Sequence, residues 1–229
     1  MPTAHTDKAF EHDLRELREK LLAMGARVER QVADSMRALT ERDSSLAEKV
    51  KVSDQELNRL EVDIDNLCRK VLALRQPAAS DLRLITTALK IVTDLERCGD
   101  LGVNIAERAI DLNTAPPLKP YHDLPRLAEV VQHQVKRALD AFVHGDAAAA
   151  EQVLKGDDLA DALFLKIFNE LLQFMMEDTK NIRRATHLMF VAKHLERIGD
   201  HALNVAEMVI YMVRGEDVRH PRSRDLQTA

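Results

Sequence analysis

The chain has 229 residues, 45% of them apolar, and a formal net charge of −5; it is long enough to bury a core and lacks the basic excess of a nucleic-acid-binding surface. Aromatic residues make up only 3% and tryptophan is absent, while Leu, Ala, Glu, Lys and Arg dominate, a balance that argues against a sheet-rich fold and for a helical bundle. No apolar run approaches the ~18 residues of a membrane span, and "MPTAHTDKAFEHD" carries no basic-then-apolar leader pattern, so the expectation is a cytoplasmic protein that reaches the inner face of a membrane only through partners.

The first helix is predicted over about 7–41, ending near "RDSS", the second over 45–75, ending before Pro77, and the third over 80–113. Proline then clusters at 116, 117, 120 and 125, which marks a linker at 114–125. The second half repeats the plan with helices over about 122–143, 147–177 and 180–214, the first of these breaks falling at "HGD". Cys68 and Cys98 sit within helical apolar patterns, lack zinc-site spacing and read as core thiols of a reducing compartment.

The halves are copies. "DLERCGDLGVNIAE" at 94–107 returns as "HLERIGDHALNVAE" at 194–207, an offset of 100, and "DSSLAEKVKVSD" pairs with "DAAAAEQVLKGD" at an offset of 103. The fold expected is therefore all-α, two tandem three-helix bundles related by internal duplication. Their spans are 1–113 and 122–215, with a polar tail at 216–229 that is expected to fray.

Within the repeated motif, Glu96, Asp100 and Glu107 project within roughly 40° of one another on a helix, with Asn104 just beyond; Glu196, Asp200, Asn204 and Glu207 are their counterparts. Counting back from the turn near 178–180 sets Asp157 and Asp161 opposite Asp200 and Glu196, a four-carboxylate face. The same count sets Asp54 and Asn58 opposite Asp100 and Glu96, one carboxylate short, with Glu61 a further donor one turn on. Crowded carboxylates at a core boundary need a metal or arginine to compensate them, and an all-oxygen set suits a hard cation; the bland reading is an acidic face neutralised by Arg97 and Arg197.

Gly99 and Gly199 cost about 1 kcal/mol each in mid-helix, which points to close approach by a neighbouring backbone or ligand, or else to tight helix packing. His187, His194 and His201 have no counterparts in the first half and read as packing or surface residues. A second apolar row, Ile91, Cys98 and Ile105 with Val191, Ile198 and Val205, makes the third and sixth helices apolar on two sides: either central in the bundle or at a homodimer or partner interface. No Glu-x-x-His or Walker A pattern is present, and no nucleophile and base stand out.

"LERCGDLGVNIAE", "LERIGDHALNVAE", the acids of the second helix, "RQPAASDLR" and "PPLKP" together resemble the PhoU family, over residues 7 to 215. The resemblance implies a regulator rather than an enzyme: a negative regulator of phosphate uptake and the phosphate-starvation response that connects the phosphate ABC transporter ATPase to a membrane sensor histidine kinase. It also implies metal clusters of iron, manganese, magnesium or zinc, held by Asp54, Glu96 and Asp100 in one repeat and by Asp157, Asp161, Glu196 and Asp200 in the other. Asn58 departs from the acidic pattern. Two other classes stay open on the residues alone: a metal-dependent phosphoesterase, and a structural or metal-storage bundle.

Overall fold

The computed structural model describes residues 8–119 and 121–218, and these are helical apart from short connections. The first repeat comprises α1 (Lys8–Thr40), α2 (Ser44–Arg75) and α3 (Ala79–Asn113); the second comprises α4 (Asp123–His144), α5 (Ala147–Lys155), α6 (Asp158–Glu177) and α7 (Ile182–Arg214). Residues 1–7 of the expected first repeat, and 219–229 of the expected tail, lie outside the described residues. Pro125 falls in the first turn of α4, where a proline's missing N–H removes no intrahelical bond.

The duplication extends to local backbone chemistry. Asp43 caps α2 by accepting a hydrogen bond from the Leu46 amide at 3.0 Å, and Asp146 caps α5 by accepting one from Ala149 at 2.9 Å, each from an extended backbone. The preceding residues turn the chain in the left-handed region: Gly145 at φ 62° and its counterpart Arg42 at φ 60°. An arginine pays a steric penalty there that glycine does not. Arg42 compensates through its guanidinium, which donates to the carbonyls of Asn113 at 2.7 Å and Ala115 at 2.8 Å and so ties the first turn to the linker.

One expected helix is two. The segment predicted as continuous over 147–177 breaks at Gly156 and Asp157, and the Gly156 amide bonds to Val153 at 3.0 Å instead of continuing the α-helical ladder. Ser53 holds the matching place in the unbroken α2. Glycine is among the poorest helix formers, and here it sits beside two aspartates that favour helix starts. The register survives the break: Ala47, Val50, Leu57, Ile64 and Cys68 are buried in α2, and their counterparts Ala150, Val153, Ala160, Ile167 and Leu171 are buried in α5 and α6.

The repeats pack chiefly through α3 against α7, with α1 against α4 adding a second contact. Ile91, Cys98, Ile105, Val191, Ile198 and Val205 are all buried there. The second apolar row is thus withdrawn from solvent within one chain. α3 and α7 run antiparallel, since Asp94 meets His201 at 2.8 Å while Arg108 meets His187 at 3.4 Å.

Candidate functional site

Helix α7 carries Glu196 and Asp200 toward the flank of α6 that bears Asp161, with Asp157 at its start. Asp157, Asp161 and Asp200 lie within electrostatic reach of one another, and Glu196 within reach of Asp200. Partial burial, then the charges of Asp161 and Asp200, push the Asp157 carboxyl above the ordinary range. Burial and Glu196 do the same for Asp200, against the opposing pull of Lys193. Lys193 holds Glu196 at 2.6 Å.

The first repeat gathers a different set. Burial, Asp100 and Glu61 raise Glu96, while burial, Asp65 and Asp100 raise Glu61, so the acid one turn beyond Asn58 does face the motif helix. Arg97 sits 3.5 Å from Glu96 and 3.3 Å from Asp100. Asp54 is held by amides: Gln31 Nε2 donates to its Oδ1 at 3.1 Å and Asn58 Nδ2 to its Oδ2 at 3.1 Å. Asp65 and Gln31 were not singled out from the sequence. Gln31 had a signal in the offset of 103 that pairs it with Gln134, and both are buried.

The remaining predicted donors lie further along. Asn204 donates to Asp94 across the α3–α7 junction at 3.2 Å, and Glu107 lies 3.8 Å from Arg108. Asn104 and Glu207 are half-buried on their helices, and Glu207 is not free of contacts. The histidines serve the same junction: His201 meets Asp94, and His187 lies 3.6 Å from Asp111. His194 is withdrawn from solvent beside Phe190, and burial followed by Arg197 and Arg108 holds it down at about 4.

The space at Gly99 is filled by a side chain, where the sequence favoured a backbone or a ligand. A Cβ there would overlap Leu57 Cδ2 and come 3.5 Å from Asp54 Oδ1. At Gly199 the nearest atoms belong to α4, Gln134 Oε1 at 3.1 Å and Val131 Cγ1 at 3.4 Å.

Among the described residues, no three carboxylate, imidazole or thiolate groups close on a common point as a metal shell would. The acids stand in facing pairs, each restrained by a lysine, an arginine or an amide. The donor chemistry, all oxygen and partly desolvated, fits a hard cation. A cavity of about 800 Å³ lies between the starts of α1 and α3 and the end of α4, and none of these acids lines it.

Fold and site together define a tandem helical protein with paired acidic faces. A model of the PhoU domain matches residues 21–109 and 124–209. The chain is 45% identical over 219 residues to the phosphate-specific transport system accessory protein PhoU homolog of Pseudomonas putida, covering 95% of this chain and 86% of that one. It is 41% identical over 223 residues to the Caulobacter vibrioides homolog, covering 97% of each. The crystal structure of PhoU from Pseudomonas aeruginosa superposes with a TM-score of 0.86 at 44% identity, over 90% of this chain and all of that one. The phosphate transport system regulatory protein PhoU from Streptococcus pneumoniae superposes at 0.84 and 26% identity, over 92% of this chain and all of that one. The chain belongs to the PhoU domain family, a family of regulatory accessory proteins and not of enzymes, which sets the phosphoesterase alternative aside.

Proposed function

We propose that this protein is an accessory regulator of phosphate transport, and specifically a negative regulator of phosphate uptake and of the phosphate-starvation response. The observation that carries the reading is the family match across both repeats, joined to relatives named as accessory proteins of the phosphate-specific transport system. In this reading the protein works in the cytoplasm at the inner membrane face. It docks on the transporter's ATPase subunit and on a sensor histidine kinase, and restrains both when phosphate is plentiful. No helix among the described residues is long and apolar enough to cross a membrane, so attachment through partners is the consistent arrangement.

The second part of the proposal is that the paired acids hold hard metal ions. Asp157, Asp161, Glu196 and Asp200 would serve in the second repeat, and Glu61, Glu96 and Asp100, with Asp54, in the first. Support comes from the carboxyls raised by burial and mutual repulsion, since a bound cation relieves both. Bound there, a metal supplies positive charge that fastens α6 to α7 and α2 to α3. Lys193 and Arg97 supply part of that charge now. Amide donors already occupy Asp54, so the first repeat is the weaker site.

Deletion of the gene in its host, with phosphate uptake and a phosphate-responsive promoter as readouts, tests the regulatory role. Raised promoter activity in phosphate-rich medium, reversed by complementation, is expected. Unchanged uptake and unchanged promoter activity would refute it.

A further inference from the structure

At one end of the bundle positive charge is left uncompensated. The cavity between the starts of α1 and α3 and the end of α4, about 800 Å³, is lined by Lys8, His12, Arg15, Arg18 and His144. Glu11 and Asp81 are the acids on its wall. Asp81 has other contacts, and among the described residues neither acid forms an ion pair with these basic groups. Arg15 reaches only the His12 ring, at 3.4 Å. Arg18 is partly buried, and its Nε is withdrawn from solvent without a hydrogen-bond partner, a costly state for a charged donor. Ser80 opens onto the same space from the first turn of α3, a helix that begins without a side-chain cap.

Duplication supplies the comparison. The offset of 103 that relates the repeats takes Leu14, Arg15 and Arg18 to Pro117, Leu118 and Tyr121, and takes Arg42 to Gly145. Pro117, Leu118, Tyr121 and Arg42 all line a smaller cavity, about 380 Å³, at the opposite end. The cations of that end are engaged: Arg42 donates to the carbonyls of Asn113 and Ala115 at 2.7 and 2.8 Å, and Lys119 pairs with Glu170. The larger cavity has two arginines where the smaller has Leu118 and Tyr121, and a glycine where the smaller has Arg42. One end is satisfied by its own linker, and the other is wider and cationic.

We propose that the larger cavity binds an organic phosphate of nucleotide size. Arg15 and Arg18, three residues apart and so on one face of α1, grip the phosphate oxygens, and Lys8 adds charge beside them. Buried Leu84, Phe142 and Met212 form an apolar floor for the uncharged part of the ligand. Volume selects this class over a bare anion, because inorganic phosphate would leave most of the space empty while a small organic molecule fills a site of this size. None of the acids proposed to hold metal lines the cavity, so this site stands apart from both the metal and the regulatory readings.

The test is isothermal titration calorimetry of the full chain with ADP, GDP, inorganic phosphate and adenosine. Chelator and physiological salt are present, so that neither a bridging metal nor loose ion pairing contributes. One nucleotide per chain is expected, with inorganic phosphate and adenosine each weaker by about 30-fold or more. Arg15→Gln/Arg18→Gln should lose about 30-fold in nucleotide affinity at unchanged helicity, and the control Lys49→Gln/Lys90→Gln, which removes two exposed charges outside the cavity, should lose none. Phenylglyoxal labelling of the wild type, read by peptide mass mapping, decides the matter even where the double variant folds poorly: bound ADP should protect Arg15 and Arg18 and leave exposed Arg69 labelled. Absence of binding by both nucleotides, equal binding by the folded double variant, or labelling of Arg15 and Arg18 unchanged by ADP would overturn the proposal. Equal affinity for inorganic phosphate and ADP would overturn it too, since the apolar floor would then take no part.

Discussion

Gln31 donates a hydrogen bond from Nε2 to Asp54 Oδ1 at 3.1 Å, and the same nitrogen lies 3.2 Å from the carbonyl oxygen of Gly99, so one buried amide ties α1 to both helices of the acidic face. Its counterpart Gln134 is equally buried and reaches toward Asp157, whose carboxyl it helps hold down, but without closing a full hydrogen bond. Deleting a buried donor that leaves its acceptors unpaired costs more than deleting one that closes no full bond. Gln31→Leu should therefore lower unfolding stability by about 1–3 kcal/mol, while Gln134→Leu should be near neutral. Urea denaturation of the two variants separates them; equal losses would contradict the asymmetry.

The two motif glycines should also respond differently. Alanine at Gly99 meets the fully buried Leu57, and overpacking of this kind costs about 1–3 kcal/mol. At Gly199 the nearest atoms stand at 3.1 and 3.4 Å, so a small shift of Gln134 accommodates the methyl and the gain in helix propensity offsets it. Thermal melts should show Gly99→Ala well below wild type and Gly199→Ala close to it.

Raised carboxyls give a definite pH dependence. Asp157 and Asp200 bind protons more tightly folded than unfolded, as do Glu96 and Glu61. Their favourable contribution is present below the ordinary carboxylate range and is lost as pH rises through the raised values. In chelated buffer, then, melting temperature should rise as pH falls from neutral toward that range. Asp157→Asn/Asp200→Asn should flatten the rise and stabilise the metal-free protein at neutral pH. A variant with the wild-type slope would show that these groups are not the source.

Both thiols are buried, and burial pushes the Cys68 thiol up to about 12 and the Cys98 thiol higher still. Thiolate is the reactive form, so neither should react with a maleimide in the native protein, and both should react in denaturant. Rapid native labelling would mean that α2 or α3 opens locally.

Much of this architecture was legible because duplication supplies an internal control. Asp43 and Asp146, 103 residues apart, cap equivalent helices, and the hairpin count set Asp157 and Asp161 opposite the helix turn that carries Asp200, with which both interact. The break at Gly156 was overlooked because its counterpart Ser53 lies in an unbroken helix. Periodicity identified the row of Ile91, Cys98 and Ile105 as apolar, yet it cannot say which helix covers it; only the packing of α3 on α7 does. One restraint on the acids was legible, since Arg97 was expected to neutralise the face and does meet Glu96 and Asp100. Lys193 was hidden, an ordinary surface residue in sequence whose rotamer places it on Glu196.

The central claim, that the paired acids are a metal site, is tested most directly by elemental analysis by plasma mass spectrometry. Protein purified without chelator or metal-affinity tag is compared with the Asp157→Ala/Asp161→Ala/Glu196→Ala/Asp200→Ala variant. Near-stoichiometric metal in the wild type that falls sharply in a folded variant is the predicted result. No metal in either, with the variant still helical, would return these carboxylates to a solvated acidic face restrained by Lys193 and its neighbours.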